Sequence, residues 1–105
     1  MLDSLSIDIA HMRNRATDAT ALLQVLSNPD RLLLLCQLSQ GEKSVSELEE
    51  LLNIHQPTLS QQLGVLRTVG MVSTRRDGKR IYYSVADPRA LAVLNALYEL
   101  YCPKD

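Results

Sequence analysis

Three groups of residues in this chain can do chemistry, each of a different kind. Two thiols, Cys36 in RLLLLCQLS and Cys102 in LYELYCP, are nucleophiles and metal ligands. Read alone, they are best taken as two unrelated buried thiols, since free cysteine often packs as a small hydrophobe. A run of amides and hydroxyls, Gln56, Thr58, Ser60, Gln61 and Gln62, can read base edges. Glutamine can pair bidentately with adenine, and serine or threonine can reach bases or phosphates. A basic run, Arg75, Arg76, Lys79 and Arg80, suits the phosphate backbone or the minor groove. The two histidines, His11 and His55, have no partner at metal-ligand spacing. His55 reads as a helix-start or phosphate-facing residue and His11 as a surface one. No metal site, no cofactor and no enzymatic activity is expected. There is no Cys-x-x-Cys, and no base is placed near either cysteine.

The local pattern supplies elements to carry these groups. Residues 8–27 are helix-compatible, with Ile9, Met12, Ala16, Ala19, Leu23 and Leu26 near helical spacing. Asn28-Pro29 reads as a cap followed by a first-turn proline, starting a helix over Pro29–Gln40. Its apolar centre predicts burial on several sides, and Gly41 ends it. Ser44 with Glu47 fits a capping box for a helix through Leu52. After a turn at Asn53-Ile54, a helix over 56–69 carries Pro57 in its first turn and stops at Gly70. Residues 71–77 and 79–86 change to strand character around Asp77-Gly78, a strong hairpin signal. Asp87-Pro88 starts a last helix to about Tyr101, and Pro103 ends the fold. The order is α-α-α-α-β-β-α.

The second of two short helices therefore carries the amide face, and the hairpin carries the cations. At about 100° per residue, Leu59, Leu63 and Leu66 share one face, and Thr58 and Gln61 lie opposite, flanked by Gln56, Ser60 and Gln62. This is the helix-turn-helix arrangement with a basic wing. Charge follows the same division. Net charge over 105 residues is −1, yet residues 56–80 carry five basic groups against Asp77 alone. Residues 1–55 carry four basic groups against eight acidic ones. One basic face on a near-neutral body is what DNA responds to.

The length fits one domain, 1–105, and a dimer interface would add apolar burial to a moderate core. No apolar run exceeds the five residues Leu32–Cys36, so no membrane span is expected. The N-terminus, MLDSLSIDIAHMRNR, does not look like a secretion signal, and a cytoplasmic location is the expectation.

At these residues the chain resembles the ArsR/SmtB winged-helix repressors. The resemblance rests on 26–32 (LSNPDRL), 46–48 (SEL), 56–63 (QPTLSQQL) with Leu66-Arg67 and Gly70-Met71-Val72, and the wing 75–83 (RRDGKRIYY). It covers about residues 15–102. Gln62 departs from the histidine of many members. The resemblance implies a homodimer joined through the first and last helices, palindromic operator DNA as partner, and repression until an inducer binds. The family's metal-sensor patterns are missing: VSELEELL has no thiol, and residues 88–101 have no histidine and one acid, Glu99. The resemblance also changes the reading of the thiols. Cys36 and Cys102 match the pair in the dithiol subgroup that includes BigR, SqrR, YgaV and HlyU. It implies a redox sensor of persulfides, reactive sulfur species, that links the pair by a disulfide or polysulfide bridge and lowers operator affinity. Peroxide, a thiophilic metal, or action as a countersilencer stays open. A thiol enzyme or a protein-interaction winged helix are the readings from other classes.

Overall fold

A computed structural model describes residues 8–102. The expected fold end at Pro103 and the reading of residues 1–7 lie outside the described residues. The elements are α1 (Ile9–Leu26), α2 (Pro29–Leu38), β1 (Lys43–Ser44), α3 (Val45–Leu52), α4 (Thr58–Thr68), β2 (Val72–Asp77), β3 (Arg80–Val85) and α5 (Pro88–Tyr101). The expected order holds with one addition, the two-residue β1. It pairs antiparallel with β3, Lys43 opposite Tyr83 and Ser44 opposite Tyr82, giving a three-stranded sheet in the order β1-β3-β2.

The caps explain why the elements begin where they do. The Asn28 side chain accepts from the Arg31 amide at 3.0 Å, and Pro29 follows in the first turn. Ser44 and Glu47 form the reciprocal capping box: the Ser44 amide donates to Glu47 Oε1 at 2.8 Å and the Glu47 amide to Ser44 Oγ at 3.3 Å. Asn53 closes α3 in the left-handed region, at φ 56°. Asp87 Oδ1 accepts from the Arg89 amide at 2.8 Å and opens α5. Gly70, at φ 80°, follows α4, with the Met71 amide donating to the Leu66 carbonyl and the Gly70 amide to that of Arg67. These two bonds make a Schellman stop.

Several boundaries differ from expectation by one or two residues, among them the end of α2 at Leu38 rather than Gln40, and two of the differences have a plain structural reason. Pro57 is the N-cap of α4 rather than a residue of its first turn, so the helix starts at Thr58. The hairpin loop is Gly78-Lys79, closed by the pair Asp77 and Arg80. Gly78 at φ 65° fits a type II′ turn, whose hand matches the twist of the strands.

The core joins Leu34, Leu35 and Leu38 of α2, Leu48 of α3, Leu59, Leu63 and Leu66 of α4, Met71 and Val72, and Ala90 and Leu94 of α5. The α4 leucines are thus the face that holds the helix down, as their spacing predicts. α2 is not buried on several sides: Leu33 and Cys36 are exposed while Leu34, Leu35 and Leu38 are covered. In α1 only Leu26 is buried. Ile9, Met12 and Leu23, on one stripe of α1, are at least half exposed, at 64%, 50% and 55%.

Candidate nucleic-acid interface and thiol site

α4 is fixed to the body along Leu59, Leu63 and Leu66, which turns Gln61, Gly64 and Thr68 outward by helical geometry. All three are exposed. Ser60 is also exposed, and Thr58 is half-buried on the flank. The other two glutamines are engaged within the chain. Gln56 Oε1 accepts from the Ser60 amide at 3.0 Å and so satisfies the start of α4, which Pro57 cannot cap with a side chain. Gln62 is half-buried and its Oε1 accepts from Arg31 Nη1 at 3.1 Å.

The wing divides its cations between two faces. Arg75 stands opposite Tyr82 and Arg76 opposite Ile81, so successive residues point to opposite sides. Arg75 is held by Glu42 in a fork, Nε to Oε2 at 2.9 Å and Nη2 to Oε1 at 2.7 Å. Its guanidinium also lies 4.8 Å from the centre of the Tyr82 ring. The hydrogen bond from Arg75 holds the Glu42 carboxyl below its usual range. Arg76, Lys79 and Arg80 are exposed. Lys79 and Arg80 line a shallow groove of about 330 Å³ with Ser46 and Glu49 of α3. His55 is exposed, its Nδ1 3.4 Å from Glu49 Oε2. His11 Nε2 accepts from Arg15 Nε at 3.3 Å on the surface of α1.

The two cysteines come together although 66 positions separate them. Both are free thiols and both are exposed, not buried as their types alone suggest. They line one groove of about 640 Å³ between α2 and α5, with Leu33, Gln37, Leu94 and Tyr98 among its walls. Cys102 is the C-cap of α5, its amide donating to the Tyr98 carbonyl. Partial burial pushes the Cys36 thiol above its ordinary value, and the charge of Cys102 pushes it further. Tyr98 walls the groove; Tyr101 is not among its lining residues and is 79% exposed. Among the described residues no cluster of three or more histidines, cysteines and acids is arranged to hold a metal.

The sequence profile of bacterial regulatory proteins of the arsR family matches residues 28–74, from the α2 cap into the wing. The chain is 52% identical over 101 residues to the biofilm growth-associated repressor of Agrobacterium fabrum, covering 96% of this chain and 86% of that protein. The chain belongs to the ArsR family. The transcriptional activator HlyU of Vibrio cholerae is 34% identical, over 96% of this chain and 94% of its own. Among solved structures, the transcriptional repressor BigR from Xylella fastidiosa superposes with a TM-score of 0.85 at 48% identity, covering 93% of this chain and all of that one. Reduced HlyU from Vibrio cholerae gives 0.86 at 35% identity, over 90% of this chain and all of that one. A homodimeric winged helix-turn-helix DNA-binding domain from Mycobacterium bovis gives 0.71 at 28% identity, over 84% and 82% of the two chains.

This ArsR-family protein is therefore a winged helix-turn-helix DNA-binding transcriptional regulator. The structure brings the sequence-predicted residues into two places: α4 with the wing, and the groove that both thiols line. Sequence reasoning missed Arg31 and Glu42. Each acts on a predicted residue, Gln62 or Arg75, from 31 or 33 positions away. No local signal marks them, since each has an oppositely charged residue beside it in the sequence, Asp30 and Lys43.

Proposed function

We propose that this regulator is a homodimeric repressor, one domain serving both dimerisation and palindromic operator binding, that responds to persulfides through Cys36 and Cys102. Gln61, Thr58 and Ser60 contact the major groove, with Gln56 and Gln62 beside them. Arg76, Lys79 and Arg80, with Arg75 partly neutralised, contact the backbone. The observation that carries the sensing reading is that both thiols open onto the same groove between α2 and α5.

The chemistry balances in two steps. A cysteine thiolate attacks the sulfane sulfur of a low-molecular-weight persulfide, releasing the parent thiol and leaving a protein persulfide. The second thiolate attacks the protein sulfur, closing a disulfide and releasing hydrogen sulfide. Further sulfane sulfurs lengthen the bridge and relax the Cα separation of under about 7 Å that a plain disulfide needs. The link ties the end of α5 to α2, whose leucines pack with the α4 leucines in one core. A coupling of about 1–3 kcal/mol between bridge and operator lowers affinity about 5–150-fold.

The test treats the protein separately with glutathione persulfide, peroxide and thiophilic metal ions, and follows mass and operator binding together. A Cys36–Cys102 link formed with persulfide and weakened DNA binding are expected. No cross-link, or a cross-linked protein that binds as tightly as the reduced one, sinks the sensing reading. A response to peroxide or metal alone assigns a different signal. Similarity to a protein named as an activator supports a second reading, in which the same DNA contact displaces another repressor. Transcription assays with and without a competing silencer separate the two.

A further inference from the structure

Arg31 does more than occupy the first turn of α2. Its guanidinium donates Nε to the Val25 carbonyl at 2.8 Å and Nη2 to the Gln24 carbonyl at 3.3 Å, both in the last turn of α1. The remaining arm, Nη1, donates to Gln62 Oε1 at 3.1 Å. One side chain thus joins α1, α2 and the helix that carries the amide face.

The chemistry of the third bond restricts what Gln62 can read. A guanidinium has five donors and no acceptor. The amide atom facing it must be the oxygen, since turning the NH2 group inward would set donor against donor. Bidentate pairing with adenine requires a glutamine to present its oxygen to N6 and its nitrogen to N7 together. A Gln62 whose oxygen is turned back to Arg31 offers outward only its NH2. Its position agrees: Gln62 is half-buried on the flank of α4 beside the leucine face, away from the crest of Gln61, Gly64 and Thr68. A donor on the flank of a helix in the groove suits a phosphate oxygen on the groove wall.

We propose that Gln62 is a donor-only contact to a DNA phosphate and that Arg31 is the positioning residue that makes it so. The inference rests on α4 being the helix that enters the major groove. It takes adenine reading away from Gln62 and leaves it to Gln61.

The test selects operators from a randomised duplex pool with purified wild-type protein and variants, and measures the melting temperature of each. Gln62→Ala weakens binding by roughly tenfold on all sequences, the worth of a hydrogen bond to a charged group, with the selected consensus unchanged. Loss of an adenine preference at one operator position in that variant overturns the proposal. Arg31→Met frees the Gln62 oxygen, so its selected operators gain an adenine preference that disappears in the Arg31→Met, Gln62→Ala double variant. Should Arg31→Met fail to fold, Gln62→Glu serves instead. A glutamate still accepts from Arg31 but has no NH2 to offer, so the melting temperature holds or rises while DNA affinity falls below that of Gln62→Ala. A Gln62→Glu protein that melts as low as Gln62→Ala shows that the Arg31 link is not made, and overturns the proposal. Wild-type protein that selects no sequence at all sinks the reading of α4 instead.

Discussion

At the scale of single residues, Cys36 and Gly64 carry the clearest expectations. Cys36 is held above the ordinary thiol value, first by burial and then by Cys102. The thiolate is the reactive form. Alkylation of Cys36 by iodoacetamide at neutral pH is therefore slower than that of a free thiol, and its rate keeps rising beyond the pH at which a free thiol levels off. Cys102→Ser removes the smaller cause only, so the Cys36 titration moves part of the way down. The sign for stability follows. Between the ordinary thiol value and the raised one, the unfolded thiol has ionised and the folded one has not. The folded state then binds more protons, and stability falls as pH rises through that interval. Gly64 sits in the middle of α4, exposed, with nothing within 4 Å of where a Cβ would be. No contact among the described residues requires a glycine there. Gly64→Ala is expected to add about 0.5–1 kcal/mol to the helix and to raise the melting temperature by several degrees, since about 1 kcal/mol corresponds to about 4–8 °C in a domain of this size. Operator affinity is expected to fall in the same variant, because the added methyl lies on the crest that meets the groove. Melting curves and binding titrations on one preparation check both.

At the scale of elements, the wing is electrostatically less basic than its sequence. Five cations against one acid over residues 56–80 overstate what DNA would meet, because Glu42 holds Arg75 in a two-bond fork. Glu42→Gln removes that charge and releases Arg75. Operator affinity is expected to rise at low salt, and the slope of log K against log salt to steepen by about 0.9 if Arg75 gains one phosphate. Arg80→Ala should lower affinity and flatten the slope by a similar amount, while Arg75→Ala changes it less than Arg80→Ala does. Titrations at several salt concentrations check the order. The same fork shows what the sequence could and could not say. Starts and stops were legible because their signals are local: Asn28-Pro29, Ser44 with Glu47, Gly70, and Asp87-Pro88 each act within a few residues. The two-residue β1 was not, because Lys43–Ser44 has no strand pattern of its own and exists only by pairing with Tyr83 and Tyr82. The openness of α2 was also hidden. RLLLLCQLS is apolar through its centre, and only the packed structure shows that Leu33 and Cys36 face a groove while Leu34 and Leu35 face the core.

At the scale of the molecule, a single chain leaves an apolar surface without cover. On α1, Ile9, Met12, Ala16, Ala19 and Leu23 fall within about 80° of one another around the helix axis, and this chain buries none of them. The end of α5 adds Tyr98, Leu100 and Tyr101, at 54%, 73% and 79% exposure. The sequence pattern of α1 is that of a helix pressed against something, and among the described residues only Leu22, Val25 and Leu26 of this helix join the core. In the proposed homodimer a second copy docking on α1 and α5 would supply that cover, and doing so would set the separation of the two α4 helices. Two half-sites about one helical turn apart, roughly 34–36 Å, are read only if that separation is fixed. Met12→Glu with Leu100→Glu places charges on both helices without touching the core, so the fold and its melting cooperativity are expected to persist at high protein concentration. Light scattering should then report a monomer where the parent protein reports a dimer. Operator binding should become weak, with a single half-site bound as well as the full palindrome. A double variant that remains dimeric, or a monomer that binds the palindrome as tightly as the parent, shows that α1 and α5 do not form the interface. Monomeric protein also isolates the sensor. If Cys36 and Cys102 lie in one groove of one chain, persulfide treatment bridges them in the monomer as readily as in the dimer, and what the monomer loses is only the bridge's effect on palindrome binding.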